Sequence, residues 1–242
     1  MENNEKKCIF FSSDSLIDLA IENAAKARGF EFIKVTYNNK VENESSLIER
    51  QNNFAISLKE RNLEDLINSR LIYAPNLKVG TQYLNSKSDA SLSSLLNPIA
   101  MSLAYSSLCK KASDNRIIFI GNVRGYDFVK IDIDKESDIE DSILSKLAIH
   151  THNTQLDGSL VSTTKFLALN LAELDIKVNA AMFGPIADID NEEIIEAYRK
   201  KSIAGIPINF NDISDSLDIF IDPLNSYMTG QVLKFDGGVS IW

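Results

Sequence analysis

Short apolar runs alternate with longer segments of helical spacing through much of this chain, and that alternation restricts the fold more than any other feature. Cys8-Ile9-Phe10-Phe11 is an apolar run suited to a strand buried on both faces. Ser12-Ser13-Asp14 then offers a helix N-cap, because such side-chain oxygens accept the free amide hydrogens of a first turn. From Leu16 to Arg28 the residues Leu16, Ile17, Leu19, Ala20, Ile21, Ala24 and Ala25 recur at helical spacing, and Gly29 is a natural stop. Phe30 to Val35 reads as a second strand. Strands alternating with helices predict an α/β fold built on a parallel sheet with right-handed crossovers.

The middle of the chain keeps the rhythm with shorter parts. Phe54-Ala55-Ile56 reads as a third strand, Leu71 to Ala74 as a fourth, and a long helix is predicted over Ala90 to Lys111. Arg116 to Gly121 is a strong fifth strand by its β-branched content. The stretch from Val123 to Asp157 is an unusual acidic insertion, partly helical around Ile139 to Ile149. No internal repeat, Pro/Gly-rich linker or low-complexity segment interrupts residues 1–242, which predicts one domain.

Composition excludes several classes of function. The formal net charge of −9 argues against a nucleic-acid or anionic-membrane surface, since phosphate binding needs clustered Lys and Arg. No apolar run approaches the roughly 18 residues a membrane-spanning helix needs. MENNEKKCIFF lacks the apolar core and cleavage site of a secretory signal, and Cys8 and Cys109 sit in apolar elements as reduced thiols would. The expectation is a cytoplasmic protein, and the abundance of Asn, Lys, Ile and Ser hints at a bacterial genome. His150 and His152 could share a face if their segment were a strand, but no third ligand stands at a recognisable spacing, so no metal site is predicted.

KFLALNLAELDIKVNAAMFGPI, Lys165 to Ile186, and SYMTGQVLKFDGGVSIW, Ser226 to Trp242, follow one another as helix, strand, Pro-Gly-like loop and closing strand. This block resembles the second half of a short-chain dehydrogenase/reductase. The resemblance implies a single Rossmann-like, doubly wound parallel sheet. It is specific from about Ser162 onward and weak before that.

The resemblance also says where chemistry would stand. The family's TGxxxGxG turn lets the backbone approach a cofactor pyrophosphate resting on a helix N-terminus. Here the turn falls on FSSDSLID, and its glycine positions become Ser12, Leu16 and Asp18. Leu16 puts a side chain where phosphate needs room, and Asp14 and Asp18 bring negative charge to an anion's place. The segment reads either as a plain capped helix or as a Ser-rich turn that still holds a phosphate-bearing ligand. At the adenosine end, Val35-Thr36-Tyr37-Asn38 shows neither the acidic grip on a ribose nor the basic one on its phosphate, and the family's NNAG turn becomes Tyr73-Ala74-Pro75-Asn76.

In the family a tyrosine exchanges the alcohol proton while a lysine lowers its pKa, a serine polarises the carbonyl and an asparagine holds a water. Lys165 matches the lysine, but the tyrosine position one helical turn earlier is Val161. Asn97 matches the asparagine, and Asn122 is the nearest polar substitute for the serine. If Lys165 is buried it needs a partner, for which Asp14 and Asp18 are candidates.

General acid–base catalysis supplies roughly 10²–10⁴ in rate, which a valine cannot provide. The expected function is therefore a non-catalytic subunit in a homo-oligomer, or in a hetero-oligomer with an active relative, with no cofactor of its own. One alternative is an atypical oxidoreductase using NAD(P), Lys165, Asn97 and Asn122, on a bacterial surface sugar if the ending DGGVSIW is a guide. A third is a sensor that binds a small ligand without chemistry.

Overall fold

The computed structural model describes residues 6–12, 17–36, 46–74, 89–123, 141–187, 190 and 192–241. Six strands form one parallel sheet: β1 (Lys7–Ser12), β2 (Glu31–Thr36), β3 (Arg70–Ala74), β4 (Asn115–Asn122), β5 (Ile176–Phe183) and β6 (Val232–Phe235), in the order β2-β1-β3-β4-β5-β6. Among the described residues six α-helices accompany them: α1 (Asp18–Ala27), α2 (Leu47–Lys59), α3 (Asp89–Ser106), α4 (Asp141–Asn170), α5 (Glu192–Lys201) and α6 (Phe210–Ile221).

Alternate strand residues feed two cores. Ile9 and Phe11 of β1, with Ile117 and Phe119 of β4, pack against Phe54 and Leu58 of α2, Ala104 and Tyr105 of α3, and Leu160 and Leu167 of α4. Cys8, Phe10, Ile118 and Ile120 point the other way, onto Ile21 and Ala24 of α1 and Leu217 and Phe220 of α6. A sheet covered on both faces explains why its strands read as continuous apolar runs. The expected doubly wound α/β sheet is what the chain forms.

Several expected boundaries move. Phe54-Ala55-Ile56 is not a strand but the middle of α2. A capping box starts that helix: Ser46 Oγ accepts from the Glu49 amide at 3.1 Å, and Glu49 reaches back to the Ser46 amide. Phe54 and Leu58 then fall one turn apart on the buried face, and Phe54 meets Phe11 edge-on at 5.3 Å. The N-cap of α1 is Ile17, buried and without a side-chain capping bond, rather than Ser12 to Asp14; residues 13–16 lie outside the described part. The helix predicted to Lys111 ends at Ser106, and Ala112 adopts a left-handed backbone with φ 59°. Gly29, at φ 74°, does follow the end of α1. Of the acidic insertion, residues 124–140 lie outside the described part, while residues 141–157 belong to the unbroken helix α4.

At the amino-terminal edge of the sheet, two buried arginines close the end of α6. Arg70 Nε donates to the Ile221 carbonyl at 3.1 Å, and Arg116 Nη1 donates to those of Phe220 and Asp222, each at 2.9 Å. The last carbonyls of a helix lack intrahelical partners and carry partial negative charge, so a guanidinium satisfies both needs. Asp114 holds the arginines in place, with Oδ2 2.8 Å from Nη2 of each. Lys177 joins from β5 at 3.0 Å. Burial raises the Asp114 carboxyl, but the hydrogen bonds from Arg116 and Lys177 and the charge of Arg70 outweigh it and bring it down to about 2.

Candidate functional site

Because every strand is parallel, Ser12, Ala74, Asn122 and Phe183 end along one edge of the sheet. The order reverses between β1 and β3, and in open α/β sheets such a switch point marks the crevice where ligands bind. The segments that leave β1 and β3, residues 13–16 and 75–88, lie outside the described part and include Asp14 and Leu16.

The start of α1 is formed by Ile17 and Asp18. Ile17 is fully buried beside Phe10 and Ile21. Asp18 lies in the first turn and pairs with Lys34 of β2. A carboxylate at a helix N-terminus interacts favourably with the dipole there. The Asp18–Lys165 pair suggested by the sequence is not the arrangement found: Asp18 holds Lys34, and the Lys165 side chain is exposed.

α4 sorts its residues by face. Asp157, Leu160, Thr164, Leu167, Ala168 and Leu171 are buried, at spacings of three, four or seven apart from the adjacent pair, which is the period of a helix lying on a sheet. Val161 is half-buried against the same core, and Lys165 follows one turn later on the exposed side. Thr164 sits between them in sequence and bonds back to the Leu160 carbonyl at 2.6 Å. His150 and His152 also lie on α4, where positions two apart do not share a face, so the strand geometry that would have paired them is absent. Among the described residues no cluster of His, Cys, Asp or Glu is arranged for a metal ion.

The two asparagines are placed on different elements. Asn97 lies on α3, and its Oδ1 accepts from Arg50 Nη1 at 2.9 Å. Asn122 ends β4 and is buried, and its backbone N–H donates to Asp157 Oδ1 at 3.0 Å. That contact joins the end of β4 to α4, so Asn122, Asp157 and Val161 gather at the carboxyl edge. Sequence reasoning missed Asp157 and Arg50. A signal for Asp157 was present: it is a carboxylate in register with the buried stripe of α4.

The floor beyond β5 and β6 is closed by Tyr198 of α5. Its hydroxyl donates to the Asp236 carbonyl at 2.8 Å, and a Cβ at Gly237 would overlap that hydroxyl and Ser202 Oγ. The Asp236 carboxylate accepts from the amides of Gly238 at 3.0 Å and Ser240 at 3.1 Å. The DGG ending is therefore a turn built to let α5 approach.

Comparison with known proteins bears on this geometry. Residues 150–240 match a family model described as enoyl-(acyl carrier protein) reductase. No curated protein sequence matches the chain. A short-chain dehydrogenase/reductase from Serratia marcescens is 16% identical, with a TM-score of 0.67 over 98% of this chain and 99% of its own. The NADH-dependent enoyl-[acyl-carrier-protein] reductase from Aquifex aeolicus is 15% identical, with a TM-score of 0.71 over 99% and 98%. The enoyl-(acyl-carrier-protein) reductase from Anaplasma phagocytophilum, solved in complex with NAD, is 16% identical, with a TM-score of 0.68 over 98% and 92%. The fold is thus that of the short-chain dehydrogenases/reductases along nearly the whole chain, and the sequence match begins within α4.

Proposed function

We propose that this chain is a divergent short-chain dehydrogenase/reductase without dehydrogenase activity of its own, acting as a non-catalytic subunit in an oligomer with itself or with an active relative. The observation that carries this reading is Val161: an apolar side chain packs against the core one turn before Lys165, where the resembled family keeps its proton-transferring phenol. Asn97 fits the same reading, because its side-chain oxygen accepts from Arg50.

The residues described at the start of α1 do not fit a dinucleotide's phosphates. Asp18 places a carboxylate in the first turn, where its negative charge opposes a pyrophosphate drawn to the same dipole. Association is supported by exposed apolar side chains: Phe166 and Leu169 on α4, and Leu224 and Tyr227 before β6. Among the described residues no helix is long and apolar enough to cross a membrane.

A second reading keeps the chain an oxidoreductase that uses NAD(P) at an altered site with Lys165, Asn97 and Asn122. It is favoured by the description of the matching family model and by the NAD complex of the Anaplasma relative. In that case Asp157, buried on α4 one turn from Val161 and held to the end of β4 by the Asn122 amide, is a carboxylate at hand.

Titration of NADH and NADPH into the purified chain, followed by nucleotide fluorescence, separates the two. The first reading expects no saturable change, together with a particle mass by light scattering above that of one chain. Micromolar nucleotide binding, or a monomer that recruits no relative, overturns it.

A further inference from the structure

The edge of the sheet opposite Ser12 and Asn122 carries an open cavity of about 620 Å³, within the size range of small-molecule sites. The amino-terminal ends of β4 and β5 form its floor, the end of α4 one wall through Ala168, and the loop into β6 the other through Ser226 and Thr229.

Its lining is balanced in charge although the chain is acidic. The protein carries a formal −9, yet Lys6 and Lys177 line the cavity while Arg70 and Arg116 stand directly behind it on Asp114. The lining carboxylates are Asp114 and Asp175, equal in number to the lining lysines, and Arg70 and Arg116 add positive charge through their pairing with Asp114. Asp114 is shared among three of those cations, and Asp175 Oδ2 accepts from the Ala112 amide at 3.2 Å.

Two of the neutral groups that line it have a proton to give. Thr229 Oγ1 accepts from the Val178 amide at 3.1 Å, which leaves its own proton to give. Asn68 Oδ1 accepts from the Asp114 amide at 2.9 Å, which leaves its NH₂ group directed to other use. The rim is also held in costly conformations. Asn68, Ala112 and Asp175 border the cavity at φ 50°, 59° and 58°, and for Ala112 no side-chain polarity eases the left-handed backbone.

We propose that this cavity binds a small anion, a phosphate or carboxylate group on a compact molecule, with Lys177 and Lys6 supplying charge and Thr229 and Asn68 supplying neutral hydrogen bonds. Ala168, Ala172 and Ile176 offer the apolar contact for the carbon part of such a molecule. The site is separate from the carboxyl edge, so its occupancy does not depend on whether that edge is catalytic.

Thermal shift and titration calorimetry with inorganic phosphate and with succinate, at ionic strength held constant with sodium chloride, test it. The intact chain is expected to gain melting temperature saturably with at least one of the two. Lys177→Gln and Lys6→Gln should each weaken binding about fivefold or more, while Lys34→Gln, on the other edge, leaves it unchanged. A response to phosphate alone or to succinate alone identifies the group and supports the site; a response to both supports it as a general anion site. A shift that follows ionic strength only, or one that survives both lining-lysine substitutions, overturns it. Should Lys177→Gln lose its fold by circular dichroism, Lys6→Gln and Thr229→Val carry the same comparison.

Discussion

Arg50 Nη1 on α2 donates to Asn97 Oδ1 on α3 over 2.9 Å, joining two helices through a guanidinium that is 1% exposed. Asn97, which the family resemblance matches to a water-holding residue, here acts as a structural acceptor. Asn97→Ala removes an acceptor from a buried charged donor, which costs roughly 1–3 kcal/mol. Urea denaturation should register that loss; unchanged stability would mean that the contact does not matter.

Under the proposed function, Val161→Tyr alone should not create NADH-dependent reductase activity, because Asp18 still places a carboxylate in the first turn of α1. The larger side chain has to enter a half-buried position packed on the core, at a cost of about 1–3 kcal/mol. Assays of NADH oxidation with a panel of ketones check this, and recovered turnover would show that the groove is intact.

Asp114 makes stability depend on acid. Its folded-state pKa is depressed from 3.8 to about 2, so its contribution is fully present above about pH 4 and is lost as pH falls through the folded value. The difference in unfolding free energy between the intact chain and Asp114→Asn should shrink by about 2 kcal/mol between neutral pH and about pH 2. Urea midpoints along that series measure it, and a constant difference would refute the assignment.

Both thiols should resist modification while the chain is folded. Burial pushes Cys8 up to about 12 and Cys109 likewise, the latter against opposing hydrogen bonds from Tyr105 and Ser69. Only the thiolate reacts, so at mildly alkaline pH the folded chain should react with Ellman's reagent about a thousandfold more slowly than the urea-unfolded chain. Rapid labelling of either cysteine in the native state contradicts the burial described.

Ala112→Gly should raise stability by about 0.5 kcal/mol, the left-handed strain relieved exceeding the entropy that glycine adds to the unfolded chain. A lower melting temperature for the variant would show that the Ala112 methyl makes a contact worth more than its strain.

The fold was legible because burial on both faces leaves a continuous apolar trace, as at Cys8 to Phe11 and Arg116 to Gly121. Phe54-Ala55-Ile56 misled because three apolar residues in a row suit a strand, while the deciding signals, the Ser46–Glu49 capping box and the Phe54–Leu58 spacing, are spread over the flanks. At the candidate site, Val161 and Lys165 could be paired on one helix by spacing alone. The contacts of Asn97 with Arg50 and of Asn122 with Asp157 could not, since their partners lie 47 and 35 residues away and chain separation of that size carries no directional signal.

The clamp of Arg70 and Arg116 on the end of α6 has a consequence for biogenesis. Its carbonyl partners lie 151 residues after Arg70 and 104 to 107 after Arg116. During synthesis both guanidiniums leave the ribosome long before the carbonyls they serve, and they remain hydrated until residues 220–223 have followed. Closing so distant a contact is entropically slow, so this edge of the sheet is expected to lock last. A nascent chain halted before Phe210 would carry the first strands without their keystone.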